Sequence, residues 1–301
     1  MSAGSDRGQA RRRVLAADAA LLGVTFVWGV TFPLVKAALA DAQPLLFVAV
    51  RLSLAALLLL AIYRPRLRQL SGERWAAGAW LGLFLAGGYA LQTAGLALTS
   101  PAAAAFLTSI SVILVPLLLA LFWRRGLPAR AWVSTAVALA GLYLLLAAPG
   151  MSGRAAAADW RGNLLETMCA LAFALHIVNL GEWSPRFGFR DLAVLQIGFA
   201  ALFSWAMLPL GGALHWANSP RLWLALAVTA VLATAVAFTV QSWSQQFTPT
   251  SHTAVIFAAE PVFAWLAAAW GWHEPLLPVQ AAGAVLIVGA MLLLEWRPVR
   301  G

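Results

Sequence analysis

Apolar residues along this chain come in runs too long for the buried faces of soluble helices. Between charges, prolines and glycines, ten such stretches can be read, at about 15–36, 45–63, 75–98, 102–123, 131–148, 162–181, 191–210, 221–246, 251–270 and 277–295. A helix needs roughly 20 apolar residues to cross about 30 Å of hydrocarbon. The pattern therefore predicts an all-α integral membrane protein of ten transmembrane helices. Most connections are short, so consecutive helices are expected to run antiparallel. Arg11-Arg12-Arg13 stands before the first stretch, as in a signal peptide. Nine more apolar stretches follow, which predicts a retained helix instead.

The charges between the stretches give the orientation. With the N-terminus on the cytoplasmic side, the inside segments carry fifteen basic residues: Arg7, Arg11, Arg12, Arg13, Arg64, Arg66, Arg68, Arg74, Arg124, Arg125, Arg130, Arg186, Arg190, Arg297 and Arg300. The outside segments carry four: Lys36, Arg154, Arg161 and Arg221. Arg51 lies within a span. Positive charge collects on the cytoplasmic face of membrane proteins, so both termini are expected inside, which requires an even number of spans.

Composition narrows the class further. Hydrophobic residues make up 62% of the chain and charged residues 10%, against about 45–50% and about 25% in soluble domains. A chain of this kind cannot build a water-facing surface. The net charge of +9 would suit nucleic acid, but it is spread as topological clusters between spans. Cys169 is the single cysteine, and no Cys/His grouping has metal-ligand spacing, so neither a disulfide framework nor a metal or other cofactor is expected. Lys36 is the only lysine among twenty basic residues, and alanine is abundant. This composition suits a GC-rich bacterial genome, and with it an inner (plasma) membrane location.

The chain also repeats itself. Thr99-Ser100-Pro101 through Ala105-Phe106-Leu107 to Trp123 is echoed by Thr248-Pro249-Thr250-Ser251 through Ala254-Val255-Ile256 to Trp272. The offset is about 149 residues, with one gap needed to bring Gly141 onto Gly289. Five spans are an odd number, so the second half enters the membrane upside down. Inverted repeats of this kind enclose a cavity at the bilayer midplane between halves that can rock. The expected organisation is a cytoplasmic arm (1–14), a first five-helix repeat (15–148), an outside linker (149–161), a second five-helix repeat (162–296) and a cytoplasmic tail (297–301).

Several short patterns resemble the drug/metabolite transporter superfamily, in particular its EamA-domain members. They are Trp28-Gly29, Thr31-Phe32 and Lys36 in the first span, and Arg51 in the second. Ala97-Leu98-Thr99-Ser100 with Ala104-Ala105-Phe106, and Pro261-Val262-Phe263 followed by Glu274, Gly283 and Gly289, extend the likeness. It covers about residues 18–295 as two tandem domains. Arg125 departs from it, standing where the repeat puts Glu274 of the second domain. The resemblance implies export or exchange of small metabolites such as amino acids, nucleotide-linked sugars or cationic drugs, with amino-acid exporters nearest in pattern. It also implies that the fifth and tenth spans are peripheral.

Polar groups inside the spans are the candidate chemistry, because a charge at a helix centre costs about 2.5–3.5 kcal/mol on insertion scales. Glu260 falls near mid-depth of the ninth span, and Pro261 beside it frees a backbone carbonyl. His176 and Asn179 share a face of the sixth span, and Gln241 and Gln245 share one on the eighth. Trp28, Phe32, Tyr89, Gln92, Phe106 and Phe257 complete an expected substrate-binding lining of apolar walls and polar anchors, suited to an amino acid or similar zwitterion. Lys36, Arg51 and Glu166 form a possible outer gate, with Lys36 and Arg51 either snorkelling outward or pairing with Asp41 or Glu166. No nucleophile–base pair is read at depth, so an enzyme is not expected. The expected function is export or facilitated diffusion of amino acids, including aromatic and apolar ones, by alternating access. Proton-coupled efflux of cations or drugs, exchange of another metabolite, and a channel or scaffold role remain as alternatives. The expected partners are a small solute and the lipid bilayer; the oligomeric state is not fixed by the sequence, and a monomer is compatible with it.

Overall fold

The computed structural model describes residues 2–65, 69–146, 159–272 and 277–295. Most of the expected linker 149–161, Glu274 and the tail 297–301 lie outside the described residues. Thirteen α-helices are described. In chain order they are α1 (Ser2–Ala38), α2 (Pro44–Tyr63), α3 (Gly72–Leu98), α4 (Pro101–Thr108), α5 (Ser111–Leu121), α6 (Ala129–Leu146) and α7 (Trp160–Phe187). They continue with α8 (Phe189–Met207), α9 (Pro220–Ala230), α10 (Ala237–Ser244), α11 (Thr250–Phe257), α12 (Glu260–Trp272) and α13 (Pro278–Glu295). Among the described residues there is no β-strand beyond one isolated bridge, Ala42 to Trp216.

Among the described residues, seven helical stretches are long and apolar enough to cross a membrane, and Ala129–Leu145 and Pro278–Leu294 are shorter apolar helices. The stretch expected at 251–270 is a broken pair, α11 and α12. Large apolar side chains point outward, among them Leu57, Phe122, Leu202 and Val285, each more than 60% exposed. Such a surface suits lipid, not water.

Local sequence sets the helix ends. Ser100 and Ser219 cap α4 and α9, accepting hydrogen bonds from Ala103 N and Leu222 N, with Pro101 and Pro220 at the first helical positions. Proline there gives up an N–H that has no intrahelical partner anyway. Ser71 and Asp159 do the same capping for α3 and α7.

Packing brings the two halves together. α3 lies along α7 and α8, α2 along α8, and α1 along α12 and α10. α6 and α13 pair with each other, through a close approach of Gly141 and Gly283. A Cβ on either glycine would stand 2.6 Å from the other's carbonyl oxygen, so only glycine lets the two backbones come this near.

The element bounds carry the internal repeat. α4, α5 and α6 start at residues 101, 111 and 129; α11, α12 and α13 start at 250, 260 and 278. The offset is 149 at all three. It holds without the gap that aligned Gly141 with Gly289, and it sets Gly141 against Ala290 instead.

The rims are tied by polar contacts. At one end Arg74 pairs with Asp191, Arg186 with Glu73 and Arg125 with Glu182. At the other, Arg221 and the Ser219 hydroxyl clasp Asp41, and Gln43 N–H donates to the His215 carbonyl at 2.9 Å. These bonds hold the Asp41 carboxyl below its usual range, the Ser219 hydroxyl first and the Arg221 guanidinium next.

Candidate functional site

Three irregularities in the helices build the site. The first two are the breaks between α4 and α5 and between α11 and α12. At each, the α-helical ladder shifts to a tighter i to i+3 bond: Ile110 N–H to Leu107 O at 3.2 Å, and Ala259 N–H to Ile256 O at 3.1 Å. These bonds are also 149 positions apart. Pro261 explains the second break, since it has no N–H to offer the Phe257 carbonyl. The third irregularity is a π-helical segment, Val231–Val236, between α9 and α10. Such bulges re-aim backbone groups within a span.

The π-segment carries an acceptor used by three helices. The Ala233 carbonyl takes hydrogen bonds from Trp28 Nε1 at 2.9 Å, Arg51 Nη2 at 3.3 Å and the Tyr89 hydroxyl at 3.3 Å. Arg51 Nε also donates to Thr234 Oγ1 at 2.8 Å, and its Nη2 to the Tyr89 hydroxyl at 3.1 Å. The guanidinium carbon sits 4.3 Å from the centroid of the Tyr89 ring, a cation–π distance.

Around these groups lies a pocket of about 710 Å³ of empty space, counting the part open to solvent. Its aromatic wall is continuous: Trp28 packs on Phe238 and Phe257, and Tyr89 on Phe173 and Phe238. Five pairs of lining residues stand 149 positions apart: Trp28 and Ile177, Tyr89 and Phe238, Gln92 and Gln241, Thr108 and Phe257, Ser111 and Glu260.

Of the residues singled out in the sequence, Trp28, Phe32, Tyr89, Gln92, His176, Gln241, Phe257 and Glu260 lie on the pocket wall. Three do not. Phe106 packs with the α6, α12 and α13 side chains. Asn179 turns its amide to its own helix, donating to the Leu175 carbonyl at 2.8 Å. Gln245 is buried behind the wall, accepting from Gln241 at 3.0 Å and donating to the Ile177 carbonyl at 2.9 Å.

The outer-gate residues separate. Lys36 binds the Leu96 and Ala97 carbonyls at 2.7 and 2.9 Å, where it caps the C-terminal end of α3. Glu166 is fully buried beside the pocket and accepts from the Thr108 hydroxyl at 3.2 Å. Asp41 is held by Arg221 rather than by Lys36 or Arg51. Arg51 does not snorkel: it is 4% exposed and faces the pocket. The π-segment supplies neutral acceptors at its depth, so the side chain need not reach the interface.

His176 opens a polar chain across three helices. Its Nε2 donates to Gln196 Oε1 at 2.7 Å, and Gln196 Nε2 donates to Ser242 Oγ at 2.9 Å. The Ser184 hydroxyl in turn donates to the Ser242 carbonyl. Glu260 differs from these groups. It is 6% exposed, it lines the pocket, and no described residue donates a hydrogen bond to its carboxylate. The wall therefore offers apolar surface, hydrogen-bonding amides, one carboxylate and one guanidinium.

Sequence reasoning missed Thr108 and Ser111 as lining residues and Gln196 as the partner of His176. The first two were within reach: the 149-residue offset applied to Phe257 and Glu260 lands on them. Gln196 carried no such signal, because its partner lies on a different helix.

Comparison with known proteins agrees with this architecture. A family model described as EamA-like transporter family matches twice, over residues 15–147 and 160–296. An uncharacterized transporter of Archaeoglobus fulgidus is 32% identical over 283 residues, covering 94% of this chain and 87% of that protein. The uncharacterized transporter YvbV of Bacillus subtilis is 30% identical over 285 residues, covering 90% of this chain and 89% of that one. A solved crystal structure shares the fold with a TM-score of 0.73 at 19% identity, over 93% of this chain and 96% of its own. The chain belongs to the EamA-like transporter family and is a multi-pass membrane transporter.

Proposed function

We propose that this transporter exports small zwitterionic metabolites, chiefly amino acids with aromatic or apolar side chains, across a bacterial inner membrane by alternating access. In this reading ten spans form two inverted five-helix halves, both termini are cytoplasmic, and the pocket is the solute site. The observation that carries it is the set of five residue pairs, each 149 positions apart, lining one pocket. A cavity lined by two antiparallel halves can open to either side as the halves rock.

The lining supports the substrate class. Trp28, Phe238 and Phe257 offer stacking surface to an apolar side chain, and Glu260 offers a carboxylate, free of protein donors, to an ammonium. The same carboxylate would suit a lone organic cation, which is the second reading. Arg51 in the same wall opposes it, because a guanidinium repels a cationic solute that carries no anion.

The test is counterflow in proteoliposomes with a panel of labelled amino acids, run with and without a pH gradient. Saturable, transiently concentrative uptake of aromatic or apolar amino acids is expected. Uptake of organic cations alone would support the second reading and overturn the first.

A further inference from the structure

We infer that Arg51 is the anchor for the carboxylate of the transported solute. This rests on the amino-acid reading above and names how that solute is held. The guanidinium is buried within the membrane-spanning part of α2, where a charge is expensive unless something uses it. Its bonds are all to neutral groups: Nε to the Thr234 hydroxyl, and Nη2 to the Tyr89 hydroxyl and the Ala233 carbonyl. Nη1 has no partner among the described residues. No described carboxylate oxygen lies within the 4.0 Å of an ion pair. Glu166 bonds to Thr108 instead, and Glu260 borders the same pocket without reaching the guanidinium. A buried cation satisfied only by neutral acceptors lacks its counter-charge.

The geometry fits a ligand better than it fits a structural pin. Nε and Nη2 are fixed, and the Tyr89 ring lies against the guanidinium, so the direction of the free Nη1 edge is set in advance. A fixed, charged donor aimed from a buried wall is suited to accept a carboxylate oxygen in a charge-assisted hydrogen bond. A zwitterion would answer both unpaired charges of the pocket at once, its carboxylate at Arg51 and its ammonium at Glu260. The Ala233 carbonyl, on the π-segment, receives Arg51, Trp28 and Tyr89 together. A carboxylate seated there would thus report directly to α1, α2, α3 and the π-segment.

The experiment is ligand-induced thermal stabilisation of the purified full chain with four probes. L-phenylalanine carries both charges, L-phenylalaninamide only the cation, 3-phenylpropanoate only the anion, and phenethylamine repeats the cation without a carbonyl. Stabilisation by phenylalanine and phenylpropanoate, with the amide at least about tenfold weaker, is expected for one charge-assisted hydrogen bond from Nη1. Arg51→Gln is expected to erase that preference and Arg51→Lys to retain part of it. Equal binding of phenylalanine and its amide by the wild type would overturn the anchor while leaving the amino-acid reading intact. So would a full preference retained in Arg51→Gln. Binding of phenylpropanoate but not phenylalanine would leave the anchor and overturn the amino-acid reading. Response to the amide or phenethylamine alone, or to no probe, would overturn both. The wild-type comparison decides even if Arg51→Gln does not fold.

Discussion

At the scale of single residues, burial without a partner separates groups that can bind from groups that brace. Glu260 and Arg51 each show the pocket a polar edge that no described side chain satisfies, whereas Asn179 and Gln245 spend their amides on backbone carbonyls. Glu260→Gln keeps the volume and removes the charge. It is expected to raise the half-saturating phenylalanine concentration by about tenfold or more in counterflow, as befits one charge-assisted bond. Asn179→Ala should change it by less than about twofold, since an amide bonded to its own helix contributes little to solute binding. At the rim between α1 and α2, the lowered carboxyl pKa of Asp41 gives a pH signature. A carboxyl lowered on folding adds stability above its ordinary value of 3.8, and loses it as pH falls through the lowered one. The thermal-stability gap between wild type and Asp41→Asn should therefore be flat across neutral pH and close only below about pH 4. It should be modest, because Arg221 is half exposed.

At the scale of elements, irregular backbone does the positioning. The breaks at Ser109–Ile110 and Ala258–Ala259 turn Thr108, Ser111, Phe257 and Glu260 into the pocket, and the π-segment turns the Ala233 carbonyl. Close helix approaches hold these elements in register. A Cβ on Gly29 would stand 2.6 Å from the Glu260 carbonyl oxygen and one on Gly141 2.6 Å from that of Gly283. Gly29→Ala and Gly141→Ala should each cost about 1–3 kcal/mol as overpacking. The two should differ in transport: Gly29→Ala displaces α12 beside Glu260 and lowers turnover, while Gly141→Ala, remote from the pocket, spares it. Thermal unfolding in detergent combined with counterflow separates the two effects.

Helix positions were readable from apolar run lengths, because hydrocarbon thickness imposes them. The breaks were only half readable. Pro261 announces one, but nothing at Ser109–Ile110 does except the repeat offset. The π-segment left no trace, since VLATAV reads as any apolar helix. This is why the sequence placed Arg51 at the interface: snorkelling is the cheaper outcome unless neutral acceptors wait at its depth.

At the scale of the molecule, the 149-residue offset links helix starts, helix breaks and pocket-lining pairs. In the proposed inverted arrangement, two halves that both line one pocket would exchange roles, each opening the side that the other closes. Val35 lines the pocket near the end of α1, whereas Ser244 is fully buried at the end of α10. The most direct test is thiol labelling of Val35→Cys and of Ser244→Cys, each in a Cys169→Ser background in oriented proteoliposomes, with and without saturating phenylalanine. Alternating access predicts reciprocal changes, one position gaining reactivity as the other loses it. Reactivity that rises or falls together at both positions, or that ignores the solute, would contradict the carrier mechanism.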